Sequence, residues 1–237
     1  MGPMTKTAVV TGASSGIGAA TARALAGDGW HVICAARRIE RIEPLSANIG
    51  GQAVVCDVTS DKSVSNLVET VGGKVDLLVN NAGGAVGQEP VAAADLDAWM
   101  TMYQTNVLGM GRVTKALLPA LEIAEGTIVT ITSTAAEWGY EGGAGYCAAK
   151  SGERAVVEAL RLELCGHPVR VCEVSPGMVH TEEFSLVRFH GDQAKADKVY
   201  QGVDSPLVAA DIAECVRWIS GLPSHVNIDR MIVRPRA

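Results

Sequence analysis

The sequence predicts an α/β fold in which a doubly wound parallel sheet of seven strands carries helices on both faces. Short apolar runs alternate with longer amphipathic segments, and the runs are nearly continuous in β-branched residues rather than alternating apolar and polar. Strands buried on both faces of a parallel sheet have this pattern, and right-handed crossovers make the sheet doubly wound. The chain has 237 residues and is 48% hydrophobic, which fits a single domain over 1–237 better than two small ones.

The predicted elements follow one another along the chain. Strands are expected at 6–11, 31–36, 52–58, 75–80, 126–133, 168–175 and 230–235. Helices are expected at about 16–26, 61–72, 95–121, 145–165 and 208–220. Pro119 is expected to interrupt the third helix, because proline disrupts a helix interior. The stretch 177–207 is the least regular, and this fold places it at the carboxyl end of the sheet.

Composition and charge exclude several classes of protein. The net charge is −6 and no block of Lys or Arg occurs, which argues against nucleic-acid binding. No apolar run reaches the ~18 residues of a membrane span, and no signal peptide is recognisable, so a cytoplasmic protein without a membrane partner is expected. The six cysteines form no C-x-x-C pair and show no metal-ligand spacing with the histidines. We therefore expect reduced thiols and no metal site.

The segment TGASSGIG at 11–18 lies between the first predicted strand and the first predicted helix. Glycine lets a backbone turn sharply and approach a ligand closely. A helix N-terminus with free N–H groups favours an anion, and the pyrophosphate of a dinucleotide fits such a site. A simple glycine turn is the alternative, but the strand–turn–helix context favours the nucleotide interpretation and a Rossmann fold.

The end of the second strand indicates which dinucleotide binds. NAD-binding folds place an acid there against the ribose 2′-hydroxyl, whereas this sequence has Arg37 and Arg38. Two guanidinium groups suit a 2′-phosphate, because each offers a fork of charged donors. A solvated basic pair is the alternative. The prediction is NADP(H) rather than NAD.

A second motif predicts acid–base chemistry. Tyr146 and Lys150 stand four residues apart on a predicted helix and share one face. An ammonium close to a phenol favours the phenolate, and a phenol so placed can exchange a proton near neutral pH. Ser133 ends the fifth strand, where its hydroxyl could polarise a carbonyl. Surface packing is the alternative for an isolated Tyr-x-x-x-Lys pair.

Together these motifs resemble the short-chain dehydrogenase/reductase family over essentially the whole chain. The matching features are TGASSGIG at 11–18, Asp57-Val58, Asn80-Asn81-Ala82-Gly83, Asn106, Ser133, Tyr146, Lys150, and Pro176-Gly177 with Thr181. The resemblance implies a homotetramer in which the helix at 95–121 and the helix carrying Tyr146 form the contacts.

The resemblance also implies a role for each matching residue. The catalytic residues would be Asn106, Ser133, Tyr146 and Lys150. The phosphates and ribose of the cofactor would be bound by Gly12, Ser14, Ser15, Gly16, Ile17 and Gly18, and its 2′-phosphate by Arg37 and Arg38. The adenine would contact Asp57 and Val58, and the adenine ribose would contact Asn81, Ala82 and Gly83. The nicotinamide ribose would be bound by Tyr146 and Lys150, and the nicotinamide by Pro176, Gly177, Val179 and Thr181.

Each catalytic residue has an implied task. Tyr146 would protonate the alkoxide as hydride arrives, Lys150 would favour its phenolate, and Ser133 would orient the substrate oxygen. Asn106 would hold a water molecule that links Lys150 to solvent.

Segments outside the shared motifs resemble the NADP-dependent 3-hydroxy acid dehydrogenase branch of this family. They are 133–146, 181–201 and 218–229. That branch oxidises L-serine, L-allo-threonine and 3-hydroxypropionate. The branch tends to have two glycines near His180 and Thr181 and a glycine in place of Cys147, and the bulkier His180 is expected to reshape the nicotinamide side of the pocket.

Arg188 lies in the predicted substrate loop, about 177–207. We hypothesise that it pairs with a substrate carboxylate, since a guanidinium fork suits one. The alternative is an ion pair with Glu182, Glu183 or Asp192. Substrate contacts are thus expected from Ser133, Tyr146 and Arg188.

Three functions remain open from the sequence. The leading one is hydride transfer between NADP(H) and a small 3-hydroxy acid or its carbonyl form. The second is a broad-specificity NADPH-dependent aldehyde or ketone reductase. The third, from a different class, is a non-catalytic NADP-binding redox sensor, which would not need the proton donor that Tyr146 supplies.

Overall fold

The computed structural model describes residues 5–236, and a seven-stranded parallel sheet runs through their centre. The spatial order of the strands is β3-β2-β1-β4-β5-β6-β9, with parallel pairing throughout. The strands are β1 Thr7–Thr11, β2 His31–Ala36, β3 Gln52–Val55, β4 Leu77–Asn80, β5 Thr127–Ile131, β6 Arg170–Pro176 and β9 Met231–Val233. The single Rossmann-like α/β domain predicted from the sequence is confirmed.

Helices cover both faces of this sheet. They are α1 Gly16–Gly27, α2 Ile39–Ile49, α3 Asp61–Val71, α4 Leu96–Tyr103, α5 Met110–Ala124, α6 Ala144–Glu163, α7 Phe184–Arg188, α8 Gln193–Lys198 and α9 Ala209–Ser220. Val10 of β1 packs in one core with α1, α2 and α9, whereas Val9 packs in a second core with α3, α5 and α6. Because successive strand residues enter opposite cores, the strands need apolar residues at every position.

Helix α2 is an element that the sequence analysis did not assign. It buries only Ile42, Leu45 and Ser46, and charged residues together with Pro44 interrupt its apolar pattern. Pro44 has no N–H group, so it cannot donate the helical hydrogen bond to the Glu40 carbonyl. Both residues are exposed, and water can hydrogen-bond to that carbonyl instead.

The long helix predicted at 95–121 is two α-helices joined by a π-helical segment, Gln104–Gly109. The expected interruption at Pro119 is wrong, because α5 continues through it to Ala124. Pro119 and Lys115, whose carbonyl loses its partner, both lie on the exposed face. The interruption occurs instead at the π segment, which turns the Asn106 side chain into the protein interior. Such π segments often occur at functional sites.

The irregular stretch 177–207 contains α7, α8 and the short strand β7, Val179–His180. Strand β7 pairs in parallel with β8, Leu207–Val208, which makes a small second sheet beside the carboxyl end of β6. Within the described part of the chain, no helix has the length and apolar character needed to cross a bilayer.

Candidate active site

The carboxyl ends of the strands border a cavity of about 1610 Å³. Strand order reverses between the neighbours β1 and β4, and ligands of open α/β sheets bind in the crevice at such a point. Every site residue predicted from the sequence lines this cavity except Gly18 and Asn106, which lie directly behind its wall. One edge of the sheet therefore brings together segments that are far apart in sequence.

The glycine loop at 11–18 is packed too closely for side chains. Gly12 has a φ of +66°, and a Cβ there would lie 2.8 Å from the Asn81 Nδ2 atom and 2.9 Å from the Ala82 Cα atom. A Cβ on Gly18 would collide with the carbonyl oxygen of Gly12. The Ser15 side chain at the N-cap of α1 makes no capping hydrogen bond, so the first N–H groups of α1 stay available to an anion.

Asn81 and Thr11 hold this loop against the end of β4. Asn81 Nδ2 donates to the Thr11 carbonyl at 2.9 Å, and Thr11 Oγ1 accepts from the backbone N–H groups of Asn81 and Ala82 at 3.0 and 3.1 Å. The backbone that would contact a cofactor is therefore fixed by its own hydrogen bonds.

Two arginines follow β2 at one end of the cavity. Arg38 Nη2 donates to the Ser14 and Ser15 hydroxyls at 2.9 and 3.1 Å, and also to Glu183 Oε2 at 2.7 Å. Arg37 is exposed beside Asp57. Hydrogen bonds from Thr59 lower the pKa of Asp57, and the charge of Arg37 contributes. A glycine loop with two guanidinium groups beside it fits a phosphorylated dinucleotide.

Tyr146 and Lys150 lie one turn apart on α6, and both face the cavity. Lys150 is buried, and its Nζ donates to the Ile131 carbonyl at 3.1 Å and to Glu153 Oε2 at 2.6 Å. Ser133 follows β5, and its Oγ accepts from the Ala135 N–H at 3.1 Å, which fixes the side chain at the mouth of the sheet.

Asn106 is fully buried behind Gly83 and Gly84. Its amide donates to the Gly84 and Met102 carbonyls at 3.0 and 2.7 Å, and its Oδ1 accepts from the Gly84 N–H at 3.2 Å. A Cβ on Gly83 would touch Asn106 Oδ1 and lie 3.5 Å from Lys150 Nζ. Asn106 therefore positions the backbone next to the lysine.

Pro176 ends β6, and Gly177, Val179 and Thr181 follow it across the mouth of the cavity. Thr181 packs against the glycine loop, since a Cβ on Gly16 would lie 3.4 Å from Thr181 Cγ2.

Arg188 on α7 is 6% exposed and also lines the cavity. Its Nε donates to the Gly87 carbonyl at 2.9 Å, and its guanidinium lies 5.4 Å from the Tyr140 ring centre. The buried Nη2 atom has no hydrogen-bond partner within residues 5–236. Among residues 5–236, Arg188 forms no ion pair with Glu182, Glu183 or Asp192, since Glu183 pairs with Arg38 and Asp192 with Lys195.

His180 is not among the residues that line the cavity. It is exposed and packs edge-on against Tyr200, with ring centres 4.5 Å apart.

A family model described as short chain dehydrogenase matches residues 6–188. The chain belongs to the short-chain dehydrogenase family. This confirms the resemblance drawn from the motifs and makes the protein an oxidoreductase.

Relatives of this short-chain dehydrogenase match over nearly their whole length. The chain is 56% identical to an uncharacterized oxidoreductase of Mycobacterium tuberculosis, over 100% of this chain and 93% of that protein. It is 39% identical to serine 3-dehydrogenase of Rhizobium radiobacter, over 98% and 94% of the two chains. It is also similar to the solved closed form of serine dehydrogenase complexed with NADP+, with a TM-score of 0.92, 38% identity, and coverage of 97% and 94%.

Two acids at this short-chain dehydrogenase site were not predicted from the sequence. Glu153 is 2% exposed and bonds Lys150 from the same helix. Its spacing three residues after Lys150, on the buried face of α6, was a signal that could have identified it. Glu183 bonds Arg38 across 145 residues of sequence, and no local pattern indicates that contact.

Burial and charge act in opposite directions on the Lys150–Glu153 pair. Burial is the largest effect and lowers the pKa of Lys150, but the charge and hydrogen bond of Glu153, together with Tyr146 and Glu173, outweigh it and raise that pKa. Burial raises the pKa of Glu153 to about 7, with Lys150 opposing the shift. The lysine therefore remains a cation beside the cavity.

Glu153→Gln tests this burial through the pH dependence of stability. Between about pH 4.5 and 7 folded Glu153 keeps a proton that the unfolded chain has released, so wild-type stability falls relative to the variant as pH rises. The difference in free energy of unfolding should change by up to about 1.4 kcal/mol per pH unit. Urea unfolding at pH 5, 6 and 7 measures it.

The control is Glu163→Gln, which changes an exposed acid at the end of the same helix. Its difference from the wild type should stay constant over the same pH range. A constant difference for Glu153→Gln as well would show that Glu153 has an ordinary pKa.

Proposed function

We propose that this short-chain dehydrogenase transfers a hydride between NADP(H) and a small 3-hydroxy acid or its carbonyl form. The observation that carries the proposal is one cavity with three parts: an anion-binding loop flanked by two arginines, the Tyr146–Lys150 pair, and the buried Arg188, whose Nη2 atom has no hydrogen-bond partner within residues 5–236. The names of the similar serine dehydrogenases and the NADP+ in one of their structures support it.

The cofactor residues proposed from the sequence divide the cavity between them. The glycine loop and the first N–H groups of α1 bind the pyrophosphate, and Arg37 and Arg38 bind the 2′-phosphate. Asp57 and Val58 would contact the adenine, and Asn81, Ala82 and Gly83 would contact its ribose. Pro176, Gly177, Val179 and Thr181 position the nicotinamide, which supplies or accepts the hydride. Residues 177–207 form the substrate loop.

Ser133 and Tyr146 act on the substrate oxygen. Their hydroxyl groups donate hydrogen bonds to a carbonyl oxygen in the reducing direction. As hydride reaches the carbon, the C–O π electrons move to the oxygen, which takes the proton of Tyr146. Lys150 stabilises the phenolate left behind and binds the nicotinamide ribose, and Asn106 maintains a water path from Lys150 to solvent.

The proposed homotetramer is supported by an exposed apolar stripe on α4. Leu96, Met100 and Tyr103 recur at helical spacing, and each is at least 42% exposed. Val156 and Leu162 add exposed apolar surface on α6. Stripes of this kind indicate association surfaces.

Met100→Glu should weaken this assembly, because a buried unpaired charge at an interface is unfavourable. Light scattering coupled to size exclusion should give a four-subunit mass for the wild type and a smaller mass for the variant. A monomeric wild type would contradict the proposal.

The activity itself is tested with NADP+ and a panel of L-serine, L-allo-threonine, 3-hydroxypropionate and simple secondary alcohols, with NAD+ as the control cofactor. Hydroxy acids should be oxidised with NADP+. Tyr146→Phe should lower kcat by ~10²–10⁴-fold, the usual contribution of a general acid, and leave NADP+ binding within about twofold. Formation of reduced cofactor and equilibrium binding are measured separately.

Tyr140→Phe is the matched control, because Tyr140 lines the same cavity and should retain most activity. If the protein oxidises none of the hydroxy acids but reduces bulky aldehydes or ketones with NADPH, it is a broad-specificity reductase. NADP+ binding without turnover of any of these substrates would favour a redox sensor.

Arg188→Met should raise KM for hydroxy acids by about 10- to 100-fold, because the charged fork for the substrate carboxylate is lost. KM for uncharged alcohols should change little, since Met keeps packing against Tyr140. Lys198→Ala controls for the general positive field, because Lys198 also lines the cavity. An equal effect of Arg188→Met on both substrate classes would exclude the carboxylate contact.

A further inference from the structure

The Glu183 carboxylate binds the arginine cluster beside the glycine loop. Its Oε2 accepts from Arg38 Nη2 at 2.7 Å, and its Oε1 lies 3.5 Å from Arg41 Nη2. The same Arg38 nitrogen donates to the Ser14 and Ser15 hydroxyls. The Glu183 side chain is 23% exposed, so the contact is only partly screened by water.

The backbone holds Glu183 in this place from both sides. Two residues earlier, Thr181 packs on the glycine loop at Gly16. On the following residue, the Phe184 ring lies edge-on to Tyr146 with ring centres 6.0 Å apart. The carboxylate therefore lies over the glycine loop as a fixed part of the site wall, rather than as a freely moving surface acid.

The charge of Glu183 is maintained by its neighbours. The hydrogen bond from Arg38 lowers the pKa of Glu183, and Ser15 and Arg41 lower it further. At neutral pH an ionised carboxylate thus occupies donors of the kind that phosphate oxygens use. A 2′-phosphate at Arg38 must either displace this carboxylate or bind next to a like charge, and both reduce its affinity.

We propose that Glu183 competes with the cofactor 2′-phosphate for Arg38 and so limits how tightly NADP(H) is held relative to NAD(H). The inference rests on the proposed function, which places the 2′-phosphate at Arg37 and Arg38. Glu183 is thus a specificity-determining residue, because it opposes the preference of Arg37 and Arg38 for a cofactor that carries a 2′-phosphate.

Calorimetric titration of wild type and Glu183→Gln tests the proposal without turnover. The ligands are NADP+, NAD+, adenosine 2′,5′-bisphosphate and adenosine 5′-monophosphate. The variant should bind the two ligands with a 2′-phosphate about three- to tenfold more tightly, which lies between the contribution of an exposed ion pair and that of a charged hydrogen bond. The two ligands without it should bind within about twofold of wild type. The gain should shrink at high salt.

Glu182→Gln is the matched control, because it removes the same charge from the exposed neighbouring residue. It should bind all four ligands like the wild type. Glu183→Ala, with retained folding checked by circular dichroism, should reproduce the gain if the carboxylate is the competitor.

The possible failures are distinguishable. A wild type and a Glu183→Gln variant that both bind NAD+ more tightly than NADP+ would overturn the proposed cofactor and this inference with it. A wild type that prefers NADP+, together with unchanged or weaker NADP+ binding by Glu183→Gln, would overturn only the inference. Glu183 would then hold Arg38 in position for the phosphate.

Discussion

The parallel pairing of the seven strands is the constraint on which the site depends. Parallel strands all end at the same edge, so each connection after a strand begins there. The loop after β1, the arginines after β2, Ser133 after β5 and the segment after β6 meet at that edge for this reason. The reversal of strand order between β1 and β4 leaves a crevice that no crossover helix covers. Burial of both sheet faces makes this edge the place where polar groups can gather.

Three cations around the cavity differ in their counterions. Lys150 is buried and bonds Glu153, and the acidic groups around it together outweigh desolvation and raise its pKa. Arg38 is partly exposed and shares its donors between two serines and Glu183. Arg188 is buried with one nitrogen unpartnered within the described residues. An unpartnered buried donor costs free energy, so Arg188 is the cation for which an anionic substrate would bring the largest gain.

The two acids have different physical effects because their surroundings differ. Glu153 lies in the protein interior, where desolvation dominates and raises the pKa of the carboxyl. Glu183 lies near the surface, where hydrogen bonds dominate and lower it. Glu153 therefore acts mainly on the stability of the protein and on the charge of Lys150. Glu183 supplies a negative charge beside the glycine loop. Neither effect follows from the residue type alone.

The fold class, the order of the strands along the chain and the motifs at the strands' carboxyl ends could all be predicted from the amino-acid sequence. These depend on hydrophobic period and on turn-forming residues, which act between neighbours in the chain. The family membership follows from the same motifs. Other elements depend on contacts between distant parts of the chain. Helix α2 forms around Pro44 because Ile42 and Leu45 pack in the core. Helix α5 continues through Pro119 because that residue lies on the exposed face of the helix.

The charge pairing was also decided by the tertiary structure. Acidic residues lie close in sequence to both Arg38 and Arg188, so the sequence does not show which acid pairs with which arginine. The path of the chain over the glycine loop selects the partners. That path gives Glu183 to Arg38, 145 residues away, and leaves Arg188 with the Gly87 carbonyl. Electrostatic contacts depend on distance in space, and sequence patterns report distance only along one helix or strand.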